Sequence, residues 1–515
     1  MKNKIQYACW LCLLLLSKNV FADVRLPAII SDNMVLQQKS VVALWGWADA
    51  GETIEIKNSW DNKTIKTIAA ENGNWQLKLK TTIAGGPYTI VIKGNNTITL
   101  NNVLLGEVWL CSGQSNMEFP LGKQQGWRSG VFNYETELAA ANYPRIRFFT
   151  VKQQVADAPQ KDVAGNWTAC TPGTAATFSA VAYYFAKEIQ AATGFPVGLI
   201  HSSWGGTPAE SWTRQDVLEG DSDLKPILDR YNKALANYPA DLEKYETNLA
   251  QWKKEAEEIK LKGGTAKAAP AKPTDPLKNS KSPTKLYNAM IHPLIPYTLK
   301  GVIWYQGESN AVRAYQYRKL FPALINSWRK EWKNDFPFYF VQIAPYREQN
   351  PEIREAQLLT YKKIPKTGMV VIMDAGDSAD IHPRNKEIVG KRLSLWPLAN
   401  EYGKKNITVS GPVYKSMKNE GDKIRIQFDF AVDGLVAKDG ALTEFSIAGA
   451  DQQFIPAHAV IEKNTIVVWS DEIKKPVAVR FGWKNVPKTN LYNKAGLPAS
   501  PFRTDDWPGE TFGKN

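Results

Sequence analysis

The chain has 515 residues, 43% hydrophobic and 22% charged, which excludes a disordered or fibrous class and leaves room for roughly two to four domains. A formal charge of +13, spread over this length, falls short of a nucleic-acid footprint, and four cysteines exclude a disulfide-dense scaffold. The four histidines, His201, His292, His382 and His458, bound the choice of an imidazole base.

The first 22 residues read as a cleaved secretory signal. Lys2 and Lys4 precede an apolar stretch from Ala8 to Leu16, and Val20-Phe21-Ala22 offers small residues at the cleavage positions. The stretch is too short to span a bilayer, and no other run is long and apolar enough to do so. The expectation is a secreted or periplasmic chain starting near Asp23, with no integral membrane segment after cleavage and no nucleic-acid partner. Loss of Lys2, Lys4 and Lys18 would leave a charge of +10. Of the cysteines, Cys111 and Cys170 would remain, either paired or as two buried thiols.

Residues 23–102 read as an N-terminal β domain. Thr53 to Lys57, Trp75 to Lys80 and Tyr88 to Lys93 alternate in polarity, and turn signals such as Asn72-Gly73-Asn74 and Gly85-Gly86-Pro87 separate them. Short alternating strands of this kind predict a small antiparallel sandwich.

From Val103 the pattern changes to continuous apolar runs, as in strands buried on both faces. They lie at Val103 to Leu105, Val108 to Leu110, Ile146 to Val151, Val197 to Ile200, Gly301 to Tyr305, Phe338 to Ile343 and Met369 to Met373. Helical patterns at Ala180 to Ala192, Tyr317 to Trp332 and Ile353 to Lys363 alternate with them, which predicts an α/β domain with a parallel sheet over residues 103–404. An insertion at about 215–285 reads as a helical hairpin followed by a mobile basic loop. Alternation returns after residue 405. Ile424, Ile426, Phe428 and Phe430 mark one strand face, and Thr465 to Trp469 and Val477 to Phe481 follow, so residues 405–515 read as a C-terminal β domain.

Ligands of open α/β sheets bind beyond the carboxyl ends of the strands, so the loops after the apolar runs carry the search for chemistry. Cys111-Ser112-Gly113-Gln114-Ser115-Asn116-Met117 places Ser115 at a strand-to-helix turn, as a nucleophile or as a plain helix cap. His201-Ser202-Ser203-Trp204-Gly205-Gly206-Thr207 offers backbone N–H groups beside two glycines, or simply a tight turn. Gln306-Gly307-Glu308-Ser309-Asn310 offers amide donors, and Glu308 alone would suit a glycosidase acid. The loop from Asp374 to Lys386 supplies His382 as a base with Asp380 two residues before it. Asp374, Asp377 and Asp380 could instead cage calcium, but their spacing does not match an EF-hand loop. A glycosidase and a non-catalytic glycan-binding protein stand as alternatives to an esterase.

Four of these blocks resemble the SGNH hydrolase superfamily, and within it the sialate O-acetylesterase-like carbohydrate esterases. They are Gly106 to Met117, Trp204 to Thr207, Trp304 to Asn310 and Asp380 to Lys386, with Leu286 to Pro293 as a further match. The resemblance implies a three-layer α/β/α sheet flanked by β-sandwich-like modules. It also implies a serine esterase acting on an O-acetylated glycan or sialic acid, with no metal or other cofactor. Ser115 would be the nucleophile, His382 the base and Asp380 its acid, and Ser115 and Gly205 would donate backbone N–H groups to the oxyanion. The third block departs from the superfamily pattern, so its donor is Gln306 or Asn310. The last block has Ala379 where the acid usually stands, which leaves Asp380, or more distantly Asp377. Arg384 is the candidate partner for a substrate carboxylate. Plant cell-wall polysaccharide (xylan, xyloglucan or pectin) is the alternative substrate.

Overall fold

A computed structural model describes residues 23–124 and 129–515. The expected signal segment, residues 1–22, lies outside the described residues. Among those described, no helix is long and apolar enough to cross a membrane.

The N-terminal part opens with β1 (Val35–Gln37), β2 (Val41–Trp47), β3 (Thr53–Asn58), β4 (Thr64–Ile68), β5 (Asn74–Lys80) and β6 (Gly85–Lys93). β2 and β5 pair antiparallel as a separate ribbon, and β3 pairs with β4 and β6. Alternate residues point inward, so Ile54, Ile56, Ile90 and Ile92 on one side and Val42, Leu44, Leu77 and Leu79 on the other are buried. β7 (Thr97–Gly113) is 17 residues long and belongs to two neighbourhoods at once. Its first half pairs antiparallel with β6, while Leu104 to Gly106 run parallel to β1. Its second half is the middle strand of the next layer. The composition shift at residue 103 therefore falls inside one strand: it marks where β7 becomes buried on both faces, not a break in the chain.

That layer adds β8 (Tyr143–Thr150), β9 (Trp167–Cys170), β10 (Val197–Ser203), β11 (Gly301–Tyr305), β12 (Phe338–Val341) and β13 (Thr367–Val370). The order is β13-β12-β11-β7-β10-β8-β9. The first six run parallel, and β9 pairs antiparallel with β8. With the N-terminal strands joined through β7, the sheet is mixed and eleven-stranded. Its core is aromatic: Trp304 of β11 meets Trp212, Phe321, Trp328 and Phe338. Helix Ala180–Thr193 packs on helix Lys386–Asn400, and helix Ala314–Trp332 on helix Pro351–Lys363. Ser179 caps the first of these pairs and Pro351 opens the helix of the last.

The insertion is not a hairpin. It is one helix, Lys225–Leu261, that runs through Pro239. A proline costs its helix a hydrogen bond, but this helix buries little besides Ile227, so the loss falls on a largely exposed element. The chain then returns along it, and the Trp252 indole donates to the Lys267 carbonyl at 2.9 Å. The C-terminal part forms two four-stranded sheets and a two-stranded ribbon. The strand at Lys423–Asp429 stops before Phe430, whose φ is 60°.

Candidate active site

β7, β10 and β11 end level with one another. Gly113 lies opposite Ser203 on one side and Tyr305 on the other. The residues that follow, Gln114, Trp204 and Gln306, therefore leave the sheet side by side, at the point where strand order reverses around β7. Gly113 makes this possible. Its φ is 139°, and a Cβ there would lie 2.2 Å from the Tyr305 carbonyl oxygen. Ser115 then opens the short helix Ser115–Glu118.

His382 arrives from the loop after β13, just ahead of helix Lys386–Asn400. Its Nε2 is 2.8 Å from Ser115 Oγ. Asp380 Oδ1 accepts from the His382 backbone N–H at 2.9 Å and lies 3.4 Å from Nδ1. Asp377 instead accepts from the backbone N–H groups of Ala379 and Asp380, and Asp374 forms a bidentate pair with Arg392. The three aspartates thus face different partners, and among the described residues no cluster of His, Cys, Asp and Glu is arranged to hold a metal.

The remaining predicted residues divide. Gly205 lines the same cavity as Ser115 and His382, and its N–H donates to Glu118 Oε2 at 2.6 Å. Gln306 and Asn310 are buried in the framework beneath. Gln306 Nε2 donates to Asn310 Oδ1 at 2.7 Å, and Asn310 Nδ2 donates to Glu210 at 2.8 Å. Arg384 donates to the carbonyls of Gly130 and Val131 and covers the Phe132 ring at 4.9 Å, so its guanidinium ties down a loop. The cavity itself, about 350 Å³, is lined further by Gln114, Trp204, Glu308, Ser309 and Ile381.

A buried polar bridge lies behind Ser115. Lys386 Nζ donates to Asn116 Oδ1, and Asn116 Nδ2 donates to Glu308 Oε1 at 2.6 Å and to the Ile381 carbonyl at 3.0 Å. Asn116 thus ties the first, third and fourth blocks together one residue from Ser115. Lys386 sits against the faces of Phe119 and Tyr305, 4.8 and 5.3 Å from their centroids. Burial pushes its ammonium down to about 7, against the pull of the Glu308 and Asp380 carboxylates. Burial likewise pushes the Glu308 carboxyl up.

The other histidines are engaged elsewhere. His201 Nε2 meets Ser203 Oγ at 2.6 Å, His292 Nδ1 meets the Gln160 carbonyl at 2.9 Å, and His458 lies against Trp469. Cys111 and Cys170 are buried free thiols. β10 and β8 stand between their strands, a gap of about 14 Å at ordinary strand spacing, too wide for a disulfide.

The family model described as "Carbohydrate esterase, sialic acid-specific acetylesterase" matches residues 105–263 and 247–394. The chain belongs to this family. Ser115, Gly205, Glu308 and His382 all fall inside the matched residues of this sialic acid-specific acetylesterase family member. The sialate O-acetylesterase of Rattus norvegicus is 30% identical, over 93% of this chain and 94% of that protein. The sialate O-acetylesterase of Homo sapiens is 29% identical, over 94% of each. The crystal structure of a novel carbohydrate acetylesterase from Xanthomonas citri superimposes with a TM-score of 0.78 at 35% identity, covering 94% of this chain and 100% of that one.

Sequence reasoning assigned no role to Glu118, Asn116 or Lys386. Glu118 follows Ser115 by three residues, so one helical turn brings it back to the same cavity. Asn116 and Lys386 stood inside recognised blocks, but a buried lysine bonded to the neighbour of Ser115 becomes visible only when the blocks are brought together.

Proposed function

We propose that this protein is a serine esterase that removes O-acetyl groups from carbohydrates, with O-acetylated sialic acids as its substrates. The observation that carries the reading is the 2.8 Å approach of Ser115 Oγ to His382 Nε2 at the end of the sheet, inside a cavity that also holds the Gly205 amide. The relatives named sialate O-acetylesterase support the choice of sugar.

The reaction follows from the geometry. Ser115 Oγ attacks the acetyl carbonyl while His382 Nε2 takes its proton, and Asp380 beside Nδ1 favours the imidazolium that forms. The tetrahedral oxyanion takes the N–H groups of Gly205 and Ser115, replacing the Glu118 carboxylate at Gly205. One such donor lowers the barrier by about 3 kcal/mol. His382 then returns the proton to the departing sugar oxygen. Water, deprotonated by His382, releases acetate from the acetyl-Ser115 ester and restores the hydroxyl.

The same reading takes the domain as the three-layer arrangement of the SGNH hydrolases, flanked by sandwich-like modules, in an exported chain. N-terminal sequencing of the mature protein checks export and expects Asp23 first. An acetate-release screen over O-acetylated sialoglycans, acetylated xylan and acetylated pectin tests the activity. Release from the sialoglycans, abolished in Ser115→Ala, is the expected result. Release from none of them would overturn the reading.

A further inference from the structure

A second cavity, about 440 Å³, adjoins the catalytic one, and Gly206 and Ser309 line both. The insertion builds it. The first turns of helix Lys225–Leu261 supply Ile227, Arg230 and Tyr231, and the returning segment supplies Lys281. Its charged lining is Arg230, Arg313 and Lys281 against the single carboxylate Glu210. Glu210 accepts from Arg313 Nη2 at 3.2 Å and from Asn310 Nδ2 at 2.8 Å, while Arg230 Nη2 stays 3.9 Å away. Arg230 Nη1 and Arg313 Nε are buried without an acceptor. One carboxylate thus faces two guanidiniums, and neither guanidinium has its donors used up by the fold. Burial, and after it the repulsion of Arg313, pushes the Arg230 guanidinium below its ordinary range. Lys281 stands at the junction, its Cε 3.6 Å from where a Cβ on Gly206 would project.

We propose that this cavity is a carboxylate subsite, which binds the acid group of a sugar whose O-acetyl ester lies at Ser115. A guanidinium pair with a surplus of donors suits the planar fork of a carboxylate, and a neutral hydroxyl leaves the charge uncompensated. Sialic acid carries its carboxylate at the anomeric end and its acetylated hydroxyls towards the tail, which suits two adjoining cavities. The subsite is not Arg384, which the fold holds to the 130–131 carbonyls. The inference rests on the esterase reading above.

The test uses the full chain and an aryl acetate as reporter, inhibited by N-acetylneuraminic acid, its methyl ester or galacturonic acid. The acid should inhibit about tenfold more strongly than the methyl ester, because only the acid offers the charge-assisted fork. Arg230→Gln and Arg313→Gln should each bring that ratio towards one, and Arg230→Lys should retain part of it. Lys281→Gln, at an exposed position, gives a variant whose folding is not at risk and should lower the ratio by a smaller factor. Galacturonic acid matching N-acetylneuraminic acid would support the carboxylate site with a uronic acid as occupant. Equal inhibition by acid and ester in the parent protein, or a ratio unchanged in both glutamine variants, would overturn the subsite. A parent protein that hydrolyses neither the aryl acetate nor any acetylated glycan would overturn the esterase reading instead.

Discussion

Ser115 and His382 are 267 positions apart in the chain and in hydrogen-bond contact in the fold. In the proposed mechanism each does work the other needs, so removing either should cost about as much as removing both. Ser115→Ala and His382→Ala are each expected to cut acetyl-ester hydrolysis by at least about a thousandfold at unchanged thermal stability. Turnover near that of the parent in a folded Ser115→Ala protein would end the mechanism. Asp380 is a weaker partner. Its side chain is 55% exposed and its nearest oxygen stands 3.4 Å from Nδ1, so water shares its work. Asp380→Asn should therefore cost only about tenfold to a hundredfold, less than the loss typical of a buried triad acid. Arg384 makes a contrasting case. It holds the Gly130 and Val131 carbonyls, so Arg384→Ala should lower hydrolysis of an acidic-sugar ester and of a neutral aryl acetate by the same factor. A loss confined to the acidic ester would return Arg384 to the role its sequence position suggested.

At the scale of elements, the bridge from Lys386 through Asn116 to Glu308 makes the junction of three loops sensitive to pH. An unfolded chain holds the lysine proton up to its ordinary 10.5, while the folded protein releases it near 7. Between these values the unfolded state binds more protons, so this group's contribution to stability rises with pH across that window. Below about 7 both states are protonated and the contribution is flat. The melting temperature of the parent minus that of Lys386→Met is expected to grow between pH 7.5 and pH 9.5, approximate bounds set inside that window. A difference constant over the range would show that Lys386 keeps its proton. Elements of this kind were unevenly legible. The parallel strands announced themselves because burial on both faces leaves an unbroken apolar run, as at Val197 to Ile200. β9 did not, since Trp-Thr-Ala-Cys is short and pairs only at the sheet edge. Helix Lys386–Asn400 was hidden by Pro397 and by its apolar residues lying on more than one face. The insertion read as a hairpin, yet its charged, exposed stretch forms one helix that tolerates Pro239 and ends at Leu261, just before Gly263 and Gly264. The loops of the site were legible because chemistry follows strand ends. The engagement of Gln306 and Asn310 by the framework was not, because it depends on Glu210 and Thr207 approaching from another loop.

Across the whole molecule, the hydrolase sheet and its neighbours share buried polar contacts as well as backbone. On one side β7 runs through both parts, and Gln38 donates to Glu107 at 2.6 Å. On the other, the C-terminal segment closes over helix Pro351–Lys363. Ser500 bonds Gln342 at 2.9 Å, and Glu352 accepts from the backbone N–H groups of Glu510 and Thr511. At the centre of this seam Glu355 lies between Arg318 and Arg503, with Arg503 Nε at 2.6 Å. Two residues on, Gln357 Nε2 donates to the Gln306 carbonyl at 3.0 Å, so the helix that receives the C-terminal segment also steadies the third block. Removing the carboxylate leaves the Arg318 guanidinium at the seam without its counter-charge, while Arg503 keeps Asp505 at 3.0 Å. Such a loss costs about 3 kcal/mol, far more than an exposed pair would. Glu355→Ala is therefore expected to lower the unfolding midpoint clearly in thermal or urea melts, and to lower kcat less than the substitutions at Ser115 and His382. Adding Arg318→Met to Glu355→Ala removes the stranded charge and should restore part of the midpoint. The midpoint loss belongs to uncompensated charge only if that second substitution is stabilising in the first background and destabilising in the parent protein. The opposite pattern would place the strength of the seam in its apolar packing, around Phe502 and Phe481, and not in its ion pairs.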